Sequence, residues 1–168
     1  MEIIGTLSKF EFNHWQYHIP IEEDIVNKLM ISGNRRVLVW IDHNGPFHLA
    51  LFKAKVYWYI LINKEIRSKY NLALNQKIKL KITPDTSEFG HEVPEEFSCL
   101  LDQDEEANLI FNSLTKGKQR SLIYLVTKVK NPESRMKKSL AIMHHLRLSK
   151  GKLDFKQLNE LIKYYNNQ

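Results

Sequence analysis

The residues of this chain that could do chemistry are seven histidines, one cysteine, a short acidic set and a dense run of lysines and arginines. The histidines are His14, His18, His43, His48, His91, His144 and His145, without a Cys-x-x-Cys or His-Glu-x-x-His pattern. His144 and His145 are consecutive on a predicted helix, so their side chains diverge by about 100° and do not readily share an ion. His14 and His18 would suit a helix face, but residues 10–19 read as strand and turn. The expectation is structural or surface histidines, with no metal and no cofactor. Cys99 sits among Phe97, Leu100 and Leu101, the setting of an inert core thiol. No Gly-x-Ser-x-Gly elbow marks a nucleophile. Asp85, Glu88 and Glu92 offer an alternative acid–base set, because paired carboxylates need only different environments. In a polar connector such acids also serve as turn and cap residues.

The basic run is more specific. Gly117-Lys118 does not make a phosphate loop, since position 112 is Asn and Gln119 stands where Ser or Thr is required. Simpler physics remains. Thr115 is placed to cap a helix, leaving the backbone N–H groups of Lys116, Gly117 and Lys118 outward at its positive end, with Lys118 and Arg120 at hand. Arg120, Tyr124 and Lys128 follow at i, i+4 and i+8, a ring between two cations on one helical face. This stripe reads as a surface for an anionic ligand or nucleic acid. It reads also as internal packing, with Tyr124 inward and the cations paired to Asp102, Asp104, Glu105 or Glu106. Arg35 and Arg36 form a second cationic pair at the start of a strand. They face opposite sides, so at most one serves a given pocket, and one turned into a barrel must be paired or ligand-bound.

The elements that position these residues change rhythm midway. Gln76–Ile82 alternates, setting three lysines against Ile78, Leu80 and Ile82. Similar runs occupy 3–12, 15–19, 35–42, 47–54 and 56–62, and Asp42–Pro46 supplies a turn. A helix follows Pro20, ending at Ser32-Gly33-Asn34, and Asn63 caps a second. Six short strands favour a closed or partly open antiparallel barrel, which removes unpaired edges. From Pro94 the pattern is helical. Asp102 with Glu105 suggests a capping box, Thr115, Asn131-Pro132 and Asp154 further starts, and Gly151 a stop. The fold class expected is therefore α+β, a small barrel over 1–92 and a packed helical segment over 93–168.

Charge is uneven. Residues 116–152 hold 11 Lys or Arg against Glu133, whereas 95–106 hold six acids and no cation. That asymmetry suggests either an anionic partner or pairing between the two segments, within one chain or between chains. A single cysteine excludes an intrachain disulfide and fits a reducing compartment. Met1–Gly5 lacks a leader pattern and Val56–Ile62 is too short to span a bilayer, so a cytoplasmic location is expected. Oligomeric state stays open.

Several segments together resemble the bacterial proteins that join a domain of unknown function (number 1905) to a helical YdeI/OmpD-associated, or bacteriocin-protection, segment. They are Arg35-Arg36-Val37, Gly45-Pro46-Phe47, 85–90, Val93-Pro94-Glu95-Glu96, 114–121 and the helix of Arg135. Phe89 stands where relatives often have Tyr, and Lys116 where they often have Pro. The resemblance implies a small β-barrel followed by helices, and a setting of stress or bacteriocin resistance; it implies no defined reaction. The reading expected overall is a non-enzymatic module for an anionic ligand or polymer.

Overall fold

The computed structural model describes residues 1–11 and 17–168; His14 and the turn expected around it lie outside them. The fold is α+β, a nearly closed antiparallel seven-stranded barrel followed by packed C-terminal helices. Two compact units divide the chain, Met1–Thr86 and Ser87–Gln168.

In the first unit the elements are β1 (Glu2–Thr6), β2 (Ser8–Lys9), β3 (Tyr17–Ile21), α1 (Glu23–Leu29), β4 (Arg36–Ile41), β5 (Asn44–Lys53), β6 (Trp58–Leu61), α2 (Lys64–Lys69) and β7 (Lys77–Pro84). The strand order is β1-β7-β4-β5-β6-β3-β2. The period of two decides which side chains meet the core. Val37, Val39 and Ile41 of β4 and Ile78 and Ile82 of β7 are fully buried, while Lys77, Lys79 and Lys81 are exposed. Val26 and Leu29 of α1 join the same core.

One expected run, 3–12, becomes two strands. β1 pairs with β7 and β2 with β3, yet only Leu7 separates them. The Leu7 N–H donates to the Gln76 carbonyl at 3.0 Å, its carbonyl accepts from Asn75 N–H at 2.8 Å, and its side chain is fully buried. The two ends of the strand order are therefore one stretch of chain, and its bend nearly closes the barrel. Gly5 permits this crossing: a Cβ there would stand 2.4 Å from Ile19 Cγ2.

The turn at 42–46 is tighter than expected. Asp42 (φ 44°) and His43 (φ 71°) alone reverse the chain, both in the left-handed region that a two-residue hairpin requires. Gly45 and Pro46 lie inside β5, beside a register shift between Val39 and Ile41. A bulge tolerates a residue with no N–H to donate.

The second unit contains α3 (Glu95–Gln103), α4 (Glu105–Ser113), α5 (Lys116–Thr127), α6 (Pro132–Ser149) and α7 (Phe155–Asn166). Phe97, Phe111, Leu122, Ile123, Val126, Ile142 and Leu146 form its core. Caps mark the starts. Thr115 accepts from Lys118 N–H, Asn131 from Ser134 N–H, and Asp154 from Lys156 and Gln157 N–H. The box expected from Asp102 is displaced: α3 runs through Asp102, and Asp104 caps α4 by accepting from Ala107 N–H at 3.0 Å. Cys99, expected in the core, is exposed on α3, because Phe97 takes the buried face. At the end of α6, Lys150 (φ 51°) adopts the left-handed conformation together with Gly151. No helix among the described residues is long and apolar enough to cross a membrane.

Candidate functional site

The acidic and basic segments are joined, but not through the cations expected. Arg147 pairs with Asp104, Lys150 with Glu106, and Arg135 with Glu96 at 4.0 Å, so α6 and its C-terminal cap residue supply partners for one acid of α3, one of α4 and the cap between them. Asp102 and Glu105 make no ion pair among the described residues. Among the described residues, Lys116 is the one cation of α5 that is paired, with Glu88 at 3.3 Å. Lys118, Arg120 and Lys128 have no carboxylate partner among the described residues.

Helical spacing gathers some of these residues and separates another. Lys116, Arg120, Tyr124 and Lys128 recur every four residues on one face. Lys118 is two residues from both Lys116 and Arg120, about 200° around the axis, and lies off the stripe. Tyr124 does not pack inward. It is 46% exposed, with Lys128 Nζ 4.4 Å from its ring centroid. Leu122, Ile123 and Val126 take the buried face instead. His91, which the sequence reading did not select, stands with its ring 5.8 Å from that of Tyr124. Its separation in sequence hid it, since the stripe's spacing signals only residues on α5. Lys116 also lies over the Phe89 ring at 4.7 Å, a contact that needs no Tyr hydroxyl at position 89.

The helix start is partly used. Lys118 N–H donates to the Thr115 hydroxyl at 3.4 Å, so of the three outward donors expected, those of Lys116 and Gly117 remain. A Cβ at Gly117 would meet nothing within 4 Å, so the space beside that residue is open. A cationic stripe with one exposed ring beside it can hold anionic groups and stack a planar one.

The remaining candidates belong to the first unit. Arg35 is exposed, its guanidinium 5.4 Å from the Trp58 ring centroid. Arg36 is half-buried on the face that Leu38 and Trp40 share, opposite Val37 and Val39, and so turns away from the barrel core. Its carbonyl accepts from Asp85 N–H at 3.0 Å. Asp85 is not a solvated connector acid. It is 1% exposed, and its Oδ2 lies 2.8 Å from His48 Nδ1. A carboxylate so placed fixes the imidazole as the Nδ1–H tautomer and makes a pair competent for acid–base work. His48 was missed because β4–β5 register, which pairs it with Leu38, brings it to Asp85. Glu88 and Glu92 are exposed in the second unit, Glu88 held by Lys116. Among the described residues no group of three His, Cys, Asp or Glu is disposed to hold a metal.

Residues 91–147 match the family model described as bacteriocin-protection, YdeI or OmpD-associated. The match covers α3, α4, α5 and most of α6, including the stripe from Lys116 to Lys128. Nothing found supports the domain of unknown function 1905 expected over the barrel. No curated protein and no solved structure matches the chain. Over residues 91–147, then, the chain is similar to the bacteriocin-protection, YdeI or OmpD-associated family.

Proposed function

We propose that the protein is a non-enzymatic binding module that takes an anionic ligand or polymer on α5. One observation carries this reading: Arg120 and Lys128 on the stripe, and Lys118 off it, have no carboxylate partner among the described residues, and Tyr124 beside Lys128 is exposed. Solvent-facing cations of one sign concentrate anions, and the first turn of α5 adds backbone donors. In the first unit, Arg35 or Arg36, which face opposite sides at the start of β4, is a candidate anion contact of its own. The description of the matched family supports a role in bacteriocin protection.

Titration calorimetry with inorganic polyphosphate tests the proposal. Replacing Lys118 and Arg120 together by Ala should weaken binding about tenfold or more while leaving the unfolding midpoint unchanged. Equal affinity in the variant would sink the assignment.

A second reading, a small enzyme, draws on the buried Asp85 beside His48. It expects slow turnover of activated p-nitrophenyl esters or phosphates that His48→Ala removes. Identical rates for both proteins would count against it.

A further inference from the structure

We infer that the outer face of β1, β7 and β4 is a docking surface for a single-stranded nucleic acid, separate from the α5 stripe. A groove of about 560 Å³ runs there, lined by Glu2, Ile4, Trp40, His43, Lys79 and Lys81 among others. Register builds it: Trp40 stands opposite Lys81, and Ile4 opposite Lys79. Trp40 is half-buried, with Lys81 Nζ 5.1 Å from its ring centroid, and Ile4 is 69% exposed.

The charge selects the occupant. Lys77, Lys79 and Lys81 are exposed along one face of β7, and none is paired with a carboxylate among the described residues. Glu2, cross-strand from Lys81, is the one acid in the groove. Alternate residues of a strand repeat about every 6.8 Å, a spacing suited to successive phosphates of an extended chain. An indole beside such a row offers a stacking platform that any base fits, which a duplex with stacked bases does not use. An acidic peptide satisfies the lysines, but its carboxylates present no planar ring to Trp40.

The experiment is fluorescence anisotropy of a fluorescein-labelled twelve-nucleotide thymidylate strand titrated with the full chain. The native protein should bind it more tightly than a duplex of the same length. Trp40→Ala should weaken binding roughly five- to a hundredfold, the usual effect of losing one base–aromatic stack. Lys79→Glu with Lys81→Glu, both at exposed positions, should abolish it. The milder Lys79→Ala with Lys81→Ala should reduce the slope of log affinity against log salt by about 1.4. The Lys79 and Lys81 substitutions should cost the same fold of affinity in a Lys118→Ala, Arg120→Ala background as in the native chain, which separates this surface from the α5 reading. If Trp40→Ala disturbs the circular dichroism spectrum, the lysine variants decide the matter alone. The inference is overturned if the native chain does not bind the strand, if the lysine variants bind it normally, or if only the α5 variant loses it. It is equally overturned if polyglutamate competes as well as the oligonucleotide.

Discussion

His145 is fully buried on α6, where its Nε2 accepts the Asp154 backbone N–H at 3.1 Å. Burial holds its imidazole below the usual range, an effect that His144 reinforces and Gln157 and Asp154 partly oppose. The unfolded chain, with an ordinary pKa of about 6.5, takes up a proton on acidification before the folded chain does. This contribution to stability is therefore constant above about pH 6.5 and falls as pH drops below it. We expect the native protein to lose up to about 1.4 kcal/mol per pH unit relative to His145→Gln in that range. Thermal unfolding of both proteins from pH 7.5 to 5 checks the sign; parallel curves would refute it. Single residues were legible in the sequence where their chemistry is local. Asn63, Thr115, Asn131 and Asp154 cap the helices they precede, because a cap reaches only two or three residues ahead. His48 and Asp85, 37 residues apart, meet through strand register, which no local pattern announces.

Between residues and chain, helices and strands decide which charges meet. Asp104 does two jobs at one junction: it caps α4 through Ala107 N–H and pairs with Arg147 of α6. Removing the side chain as Asp104→Ala should cost about 1 kcal/mol for the cap, with up to about 1 more for a half-exposed ion pair. Asp104→Asn retains a good cap and should lose only the second part. Urea midpoints of the two variants measure the difference, and equal losses would show that the cap contributes nothing. The acidic and basic segments were visible as composition, but their partners were not. Arg147 stands 43 residues from Asp104, and packing of α6 against α3 and α4 makes that choice. Period alone likewise separated the inward face of β7 from its lysines, yet gave no sign that β5 resumes at Asn44 with Gly45 and Pro46 inside it.

At the scale of the whole chain, alternation predicted a barrel while leaving open how its edges meet. The answer depends on Gly5, whose missing Cβ lets β1 pass Ile19 and Leu80. Gly5→Ala should overpack a fully buried contact and destabilise the first unit by about 1–3 kcal/mol. Gly117→Ala, with nothing within 4 Å of the added carbon, should be neutral or slightly stabilising. Differential scanning calorimetry of the two variants tests the contrast, and a neutral Gly5→Ala would mean that Ile19 gives way freely. The closure also has a consequence for synthesis. β1 is made first, but its partner β7 is the last strand of the unit. Long-range pairings of this kind form slowly, and an unpaired strand edge invites association meanwhile. A nascent chain paused before Lys77 therefore carries β1 as an open edge, and one extended past Pro84 can shut it against its own last strand.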